Sequence, residues 1–250
     1  MDYLTKTYTC MASNLDPDQD YFETDSRFMT LELLLRAIPK GMMCDIGCGR
    51  GALMKRMGDY HTVYGCDFAA DAVEACVRQG LVVKRADLNN DESLPFAEKF
   101  NVIVMSEVCE HLLDPRNAIR VAQKALIPGG ILIVTVPNAV PLFVRCAIPF
   151  GKTVRWLHYP SPDTVETGHI RFYTIKSMSV LLEEEGFKVC DVRGVSFRMN
   201  GYFWARVCFW TARLFRMNRK SAPARIDAWF GRCLPGLSPG LLFLCERPVA

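Results

Sequence analysis

The sequence predicts a doubly wound α/β fold, and three observations carry that expectation. Short apolar, β-branched runs alternate with helical patterns along most of the 250 residues, the signature of βαβ units feeding a mostly parallel sheet. Half of the chain is hydrophobic, which is ample for burial, and α/β folds of this length share one core more often than two. Between Met42 and Gly51 an apolar run ends in a glycine-rich turn, and a helical pattern follows.

Taken in order, the first helix is expected over Ser26–Ala37 and the first strand over Met42–Ile46, a run interrupted only by Asp45. The glycine turn opens a helix at Ala52–Met57, and β-favouring residues mark a second strand at Thr62–Cys66. A helix at Ala70–Arg78 and a strand at Val82–Ala86 continue the alternation. Phe100–Met105 reads as the fourth strand, Pro115–Ala125 as a helix and Ile131–Val136 as the fifth strand. Ile175–Glu185 is expected to be a helix that Gly186 ends as a C-cap, and strands follow at Phe187–Val192 and Leu241–Cys245. The last of these is expected to run antiparallel.

Two segments break the alternation. Pro137 to Tyr173 is far longer than the roughly 2–6 residues such a connection needs, so it is expected to form a lid or substrate wall. Arg193 to Gly240 separates the last two strands in the same way. Within it Phe203, Val207, Trp210 and Leu214 share one face of a helical wheel, with Arg206 and Arg213 alongside. That stripe suits either a core-facing helix or one that grips a membrane surface or a lipid-like substrate.

The formal net charge of +3 hides an asymmetry. Residues 192–250 hold 10 Lys/Arg against 2 Asp/Glu, a balance of +8, which leaves 20 against 25, or −5, for residues 1–191. A basic stretch rich in Phe, Tyr and Trp suits an anionic, greasy partner. Eleven cysteines are scattered without a C-x-x-C pair of zinc-site spacing, which argues for buried thiols in a reducing compartment. Met1–Asp20 carries one lysine and no apolar run, and no stretch of about 18 apolar residues is present, so a cytoplasmic location is expected.

The strongest chemical signal is Cys44-Asp45-Ile46-Gly47-Cys48-Gly49-Arg50-Gly51, an acidic residue near a strand end followed by a G-x-G-x-G turn into a helix. Glycines let the backbone turn tightly and admit a ligand against the main chain. Nicotinamide enzymes share such turns, but they present the helix N-terminus to a pyrophosphate, beside which a carboxylate is unwelcome. A ligand bearing an ammonium group gains from Asp45 instead. Asp67, followed by Phe68, ends the second strand about 20 positions further on, where a carboxylate can accept both hydroxyls of a ribose. Asp87 with Leu88 follows the third strand, where a carboxylate can accept an exocyclic amine while the aliphatic neighbour packs on a base.

Together these residues resemble the class I S-adenosylmethionine-dependent methyltransferases, from about Met42 to Pro137. The Phe100–Glu107 run, the Leu126-Ile127-Pro128-Gly129-Gly130 turn and the Ile131 strand are similar to later motifs of that family in order and spacing. The resemblance implies a Rossmann-like seven-stranded sheet, an enzyme, and S-adenosylmethionine as cofactor. It places Gly47, Cys48, Gly49 and Gly51 around the methionine part of the cofactor, Asp45 near its ammonium group, Asp67 and Phe68 at the ribose, and Asp87 and Leu88 at the adenine. Ser106 and Glu107 line the same pocket. Residues 1–40 would be a helical segment covering the cofactor, with Tyr21, Phe22 and Arg27 closing over it. Residues 41–250 would be the methyltransferase domain with insertions at 137–173 and 193–240.

A further constellation is Glu107-x-x-Glu110-His111, followed 58 positions later by His169. At i, i+3 and i+4, a helical turn would project the first three to one side. The motif resembles that of ubiquinone-biosynthesis O-methyltransferases and small-RNA 2′-O-methyltransferases, branches in which a divalent ion can assist. Members also use such residues as pocket walls, and no metal ligand is assigned on this ground. Without a metal, His111 and His169 are the candidate general bases, with Glu107 beside them, because imidazole titrates near neutrality. Buried structural hydrogen bonding is the competing account of each histidine.

The expected reaction is methyl transfer to a small-molecule or lipid-like acceptor, an anionic one if the basic stretch faces it, with oxygen favoured over carbon and nitrogen. An RNA or protein methyltransferase and a non-catalytic cofactor-binding protein are the alternatives. No nucleic-acid module is recognisable, which disfavours a nucleic-acid partner. Peripheral membrane contact stays open, and oligomeric state is not legible.

Overall fold

The apolar runs become the strands of one sheet because residues of alternating parity are buried on its two faces. The computed structural model describes residues 26–151, 168–195 and 231–249. Its strands are β1 (Met42–Ile46), β2 (Thr62–Asp67), β3 (Val82–Arg85), β4 (Phe100–Ser106), β5 (Leu126–Pro137), β6 (Lys188–Val195) and β7 (Gly240–Glu246). They form a seven-stranded sheet in the order β3-β2-β1-β4-β5-β7-β6. The first five are parallel, and β7 runs antiparallel between β5 and β6.

The helices are α1 (Ser26–Ala37), α2 (Ala52–Met57), α3 (Ala70–Arg78), α4 (Pro115–Ala125), α5 (Leu142–Ala147) and α6 (Ile175–Glu184). Met43, Val102, Val104 and Ile133 pack on one face with Leu31 and Leu35 of α1 and Leu53 and Met57 of α2. Cys44, Ile46, Ile103, Met105 and Val134 pack on the other with Ile119 and Ala122 of α4 and Met178 and Leu182 of α6. Neighbouring strand residues thus enter opposite cores, as a doubly wound sheet requires. Local chemistry sets the helix ends. Asp114 caps α4 by accepting from the N–H groups of Arg116 and Asn117, and Thr174 with Ser177 forms a capping box on α6. Gly186, at φ 84°, follows the last turn of α6.

Three departures from the sequence expectation are informative. β5 starts at Leu126, not Ile131, because Leu126 pairs with Phe100 before the Ile127–Gly130 stretch bulges out. That bulge is held by bonds between Gly129, Gly130 and Arg247, a long-range pairing invisible in the local pattern. β6 continues to Val195 because Arg193, Gly194 and Val195 pair with Leu242, Leu241 and Gly240. Finally, the first insertion contains α5 and a 3-10 turn at Ile148–Phe150, neither of which the sequence pattern announced. No helix among the described residues is long and apolar enough to cross a membrane.

Candidate active site

The parallel register brings the ends of β1 to β5 to one edge of the sheet, where α/β proteins of this winding bind their ligands. At the end of β1 the chain turns through three left-handed glycines, Gly47 (φ 74°), Gly49 (φ 52°) and Gly51 (φ 79°). A side chain at Gly47 would strike Val108, whereas a Cβ on Gly49 would meet nothing within 4 Å. The turn is therefore tight toward the protein and open above Gly49. The N–H groups of Gly47 and Cys48 donate to the Cys66 carbonyl at 2.8 and 3.1 Å, tying the turn to β2.

Two carboxyls flank this turn in different states of satisfaction. Asp67 accepts from the Gly49 N–H at 2.8 Å through Oδ2 and from the Ala69 N–H at 2.9 Å through Oδ1. Burial raises its pKa while those bonds oppose the shift. Each oxygen keeps lone-pair capacity for a further donor. Asp45 is 4% exposed, and burial, reinforced by Asp67, lifts its pKa to about 8. A cation beside Asp45 would reverse that shift, so an ammonium group fits the site.

Further along the edge, Asp87 bends over its own loop, accepting from the Asn89 N–H at 3.1 Å and from Asn90 Nδ2 at 2.8 Å. Leu88 is buried in the core shared with Leu94 and Leu112. The Phe68 ring lies under the Arg85 guanidinium at 5.2 Å.

At the end of β4, Ser106 and Thr135 share a hydroxyl hydrogen bond of 2.9 Å, and Thr135 Oγ1 donates to Glu107 Oε1 at 3.0 Å. The Glu107 N–H donates to the Thr135 carbonyl, and its Oε2 pairs with Arg27 at 3.0 Å. Glu107 is the one non-glycine residue with positive φ (56°) among the described residues, a conformation that costs strain and persists where surroundings over-determine it. Thr135, fully buried at the end of β5, supplies two of those constraints, and sequence reasoning did not single it out. Its signal there is a hydroxyl in an otherwise apolar strand.

The turn that follows is not helical, in contrast to the expectation, because Glu107 is left-handed. His111 still bonds back to Val108, and the chain folds so that Glu110 and His111 meet His169. The two imidazole rings stand edge to face with centroids 4.7 Å apart, and His169 Nε2 lies 3.8 Å from Glu110 Oε1. The Ile170 N–H donates to the Glu110 carbonyl, and Arg171 donates to the Leu113 carbonyl at 2.8 Å, stitching residues 168–173 to the turn. Glu110 is fully buried, and neither carboxyl oxygen has a hydrogen-bond partner among the described residues. Burial and then the Glu107 carboxylate push it well above the ordinary carboxyl range.

Both histidines are held neutral. Burial lowers His111, and burial followed by the neighbouring His111 ring brings His169 to about 4. His111 Nδ1 lies 3.2 Å from the Gly168 carbonyl. A carbonyl only accepts, so Nδ1 carries the hydrogen and Nε2 the lone pair. Tyr21, Phe22 and the Phe203, Arg206, Val207, Trp210, Arg213 and Leu214 stripe lie outside the described residues.

Residues 23–192 match the model of a family described as "Methyltransferase domain". The chain belongs to that family. Among curated proteins, a ubiquinone biosynthesis O-methyltransferase of Ruegeria sp. (strain TM1040) is 28% identical over 214 residues, covering 82% of this chain and 77% of the relative. Among solved structures, the N-methyltransferase NodS of Bradyrhizobium japonicum, bound to S-adenosyl-l-homocysteine, superposes with a TM-score of 0.56 at 17% identity, covering 99% of this chain and all of that one. An S-adenosylmethionine-dependent methyltransferase of Mesorhizobium loti gives 0.61 at 18% identity, over 90% and 99% of the respective chains. The chain is thus an S-adenosylmethionine-dependent methyltransferase with the class I fold.

Proposed function

We propose that this methyltransferase methylates a hydroxyl oxygen of a small-molecule or lipid-like acceptor, with the imidazole cluster at the acceptor side of the pocket. The observation that carries the reading is the meeting of His111 and His169, 4.7 Å apart, beside the turn that leaves β4. The O-methyltransferase named among the relatives supports oxygen as acceptor atom.

In this reading Gly47, Cys48, Gly49 and Gly51 hold the methionine portion of the cofactor, and Asp45 faces its ammonium group. Asp67 and Phe68 take the ribose, Asp87 and Leu88 the adenine, and Ser106 with Glu107 close the pocket at β4. When bound, the sulfonium supplies an electrophilic methyl group. His111, with its lone pair on Nε2, takes the proton of the acceptor hydroxyl, and His169 keeps the neighbouring volume uncharged. Glu107, fixed by Thr135 and Arg27, orients groups between the two halves of the site. Aligning the acceptor and excluding water supplies most of the acceleration. The basic stretch 192–250 suits an anionic group on the acceptor.

One observation favours a second reading, in which a divalent ion assists. Glu110, His111 and His169 offer ligand atoms within 4.8 Å of one another, and the orphaned Glu110 oxygens would gain a partner. Such a set suits a divalent metal, which Glu110, His111 and His169 would hold and which would supply Lewis-acid assistance to loss of the acceptor proton.

The experiment supplies methyl-labelled cofactor with separate metabolite, lipid, RNA and protein fractions, with and without a chelator. Label in an alkali-stable ether of the metabolite or lipid fraction is expected. Label confined to RNA or protein overturns the acceptor class, and no transfer with intact cofactor binding points to a non-catalytic binder. Loss of transfer on chelation, restored by a divalent ion, selects the second reading.

A further inference from the structure

The turn that carries Glu110 and His111 leaves β4 and enters α4, and its two limbs are held differently. The incoming limb is tied to β5, where the Glu107 N–H donates to the Thr135 carbonyl at 3.0 Å. The outgoing limb takes a hold from much further away. Asn89, in the loop that follows β3, accepts through Oδ1 from the Leu113 N–H at 2.8 Å and from the Asp114 N–H at 3.3 Å. β3 lies at the edge of the sheet, separated from β4 by β2 and β1. Both partners of the Asn89 amide are donors, so its oxygen and not its nitrogen must face them. Leu112 is buried in the core, but the Leu113 side chain is 60% exposed, so beyond Leu112 the limb depends on backbone bonds and not on packing.

Asn89 is itself braced. Its own N–H donates to Asp87 Oδ1 at 3.1 Å, and Asn117 of α4 donates through Nδ2 to the carbonyls of Leu88 and Asp91, on either side of it, at 2.9 and 2.8 Å. The backbone of Asn89 thus serves the carboxylate assigned to the adenine, while its side chain serves the turn that bears the imidazole pair. Arg171 completes the arrangement by donating to the Leu113 carbonyl at 2.8 Å. It stands two residues after His169, in the segment that meets Glu110. The N–H and the carbonyl of Leu113 are therefore gripped from the β3 loop and from the His169 segment respectively.

We propose that Asn89 is a positioning residue for methyl transfer. Through Leu113 and Asp114 it sets where the turn presents His111, and through Leu113 and Arg171 it sets where His169 meets that turn. No proton or methyl group passes through Asn89, which acts by geometry alone. Without its amide oxygen the Leu113 and Asp114 N–H groups lose their shared acceptor, and the limb beside His111 shifts toward other acceptors. Groups at a reacting centre must be held to within about 0.5 Å, and a misplacement of about 1 Å costs on the order of a hundredfold in rate. The inference rests on the assignment of the imidazole pair to the acceptor side.

The test compares Asn89→Leu, close in size but without an acceptor, with Asn89→Asp, which keeps the oxygen and sets its charge near the N-terminus of α4, where an anion is favourable. Both keep the N–H that serves Asp87. Three readouts are taken on the full chain: affinity for S-adenosylhomocysteine by calorimetry, initial rate of label transfer from S-adenosylmethionine to the metabolite and lipid fractions, and the histidine ring signals by NMR, which need no acceptor. His61, buried and bonded to Gly41 and to the Leu35 carbonyl of α1, is the internal control. In Asn89→Leu the His111 and His169 signals should shift while His61 stays, and the rate should fall about tenfold or more with cofactor affinity unchanged. Asn89→Asp should restore the parent signals and rate. Asn89→Ala, which removes the acceptor without adding an apolar branch, takes the place of Asn89→Leu if that variant does not fold. Unmoved His111 and His169 signals, an unchanged rate, a His61 shift as large as theirs, a loss of affinity that matches the loss of rate, or no restoration by Asn89→Asp each overturns the proposal. If His111→Ala and His169→Ala transfer label at the parent rate, the imidazole assignment falls first and the role of Asn89 with it. If those variants lose transfer while Asn89→Leu keeps it, the inference about Asn89 alone is wrong.

Discussion

The two halves of the site treat buried carboxyl groups in opposite ways. On the β1–β2 side, Asp67 spends one lone pair of each oxygen on backbone N–H groups that the glycine turn and α3 present to it. On the β4 side, Glu110 is fully buried with no hydrogen-bond partner for either oxygen among the described residues, between a neighbouring carboxylate and two neutral imidazoles. The Asp67 carboxyl is therefore positioned by backbone donors before any ligand arrives, whereas burial lifts the pKa of its neighbour Asp45 to about 8. The second half holds unmet polar capacity, which is the condition in which a ligand or proton changes most. In the proposed function, binding and chemistry then use different physical strategies on one sheet edge.

The largest expected effect lies in the second half. His111→Ala should lower kcat by about a hundredfold or more, the usual contribution of a positioned general base, with cofactor affinity unchanged. His169→Ala should lower it less, since its imidazole is held down at about 4 and is the weaker base of the two. Equal activity of both variants and the parent would remove the imidazoles from the chemistry. On the first half, Asp67→Ala should weaken cofactor binding by about 1–3 kcal/mol, the cost of leaving polar ligand groups unpaired, while the fold survives. Calorimetry with S-adenosylhomocysteine on the folded variant reads this directly.

The smallest effect is a pH slope that sharpens the comparison. Asp45 has a folded-state pKa raised to about 8, above its value in the unfolded chain. Its favourable contribution is therefore fully present below the unfolded value and is lost as pH rises through about 8. Ligand-free protein should lose stability across this window by at most about 1.4 kcal/mol per pH unit from this group. Asp45→Asn should flatten the slope, and so should bound S-adenosylhomocysteine if its ammonium group pairs with Asp45. A slope unchanged by the substitution would assign the titration elsewhere, and one unchanged by the ligand would move the ammonium group away from Asp45.

The first half of the site was largely legible in the sequence because its signals are local. Asp45, the three glycines and Asp67 sit at strand ends, and strand ends follow from apolar runs and turn residues. The meeting of Glu110 and His111 with His169 was legible only as a list of residue types, because it depends on how residues 168–173 return to the turn after β4. Thr135 went unnoticed for a related reason. Its role is defined by Glu107 and Ser106 on the adjacent strand, and a single hydroxyl in an apolar run has no periodicity to announce it. The start of β5 and the end of β6 were misplaced because cross-strand partners distant in sequence, Phe100 for Leu126 and Gly240 for Val195 among them, decide them.

Asn138 stands where the first insertion leaves β5, and its side chain reaches both long connections at once. Its amide donates to the Gly236 and Ser238 carbonyls at 3.0 and 2.7 Å, while its carbonyl oxygen accepts from the Val140 N–H at 3.0 Å. The residue is 4% exposed, so these bonds have little competition from water. The chain just before β7 is therefore latched to the start of the segment expected to wall the acceptor. For anyone transplanting that wall between relatives, residues 138–140 and 236–238 are a single cassette. Exchanging one side without the other would strand a buried amide and loosen both ends of the pocket together.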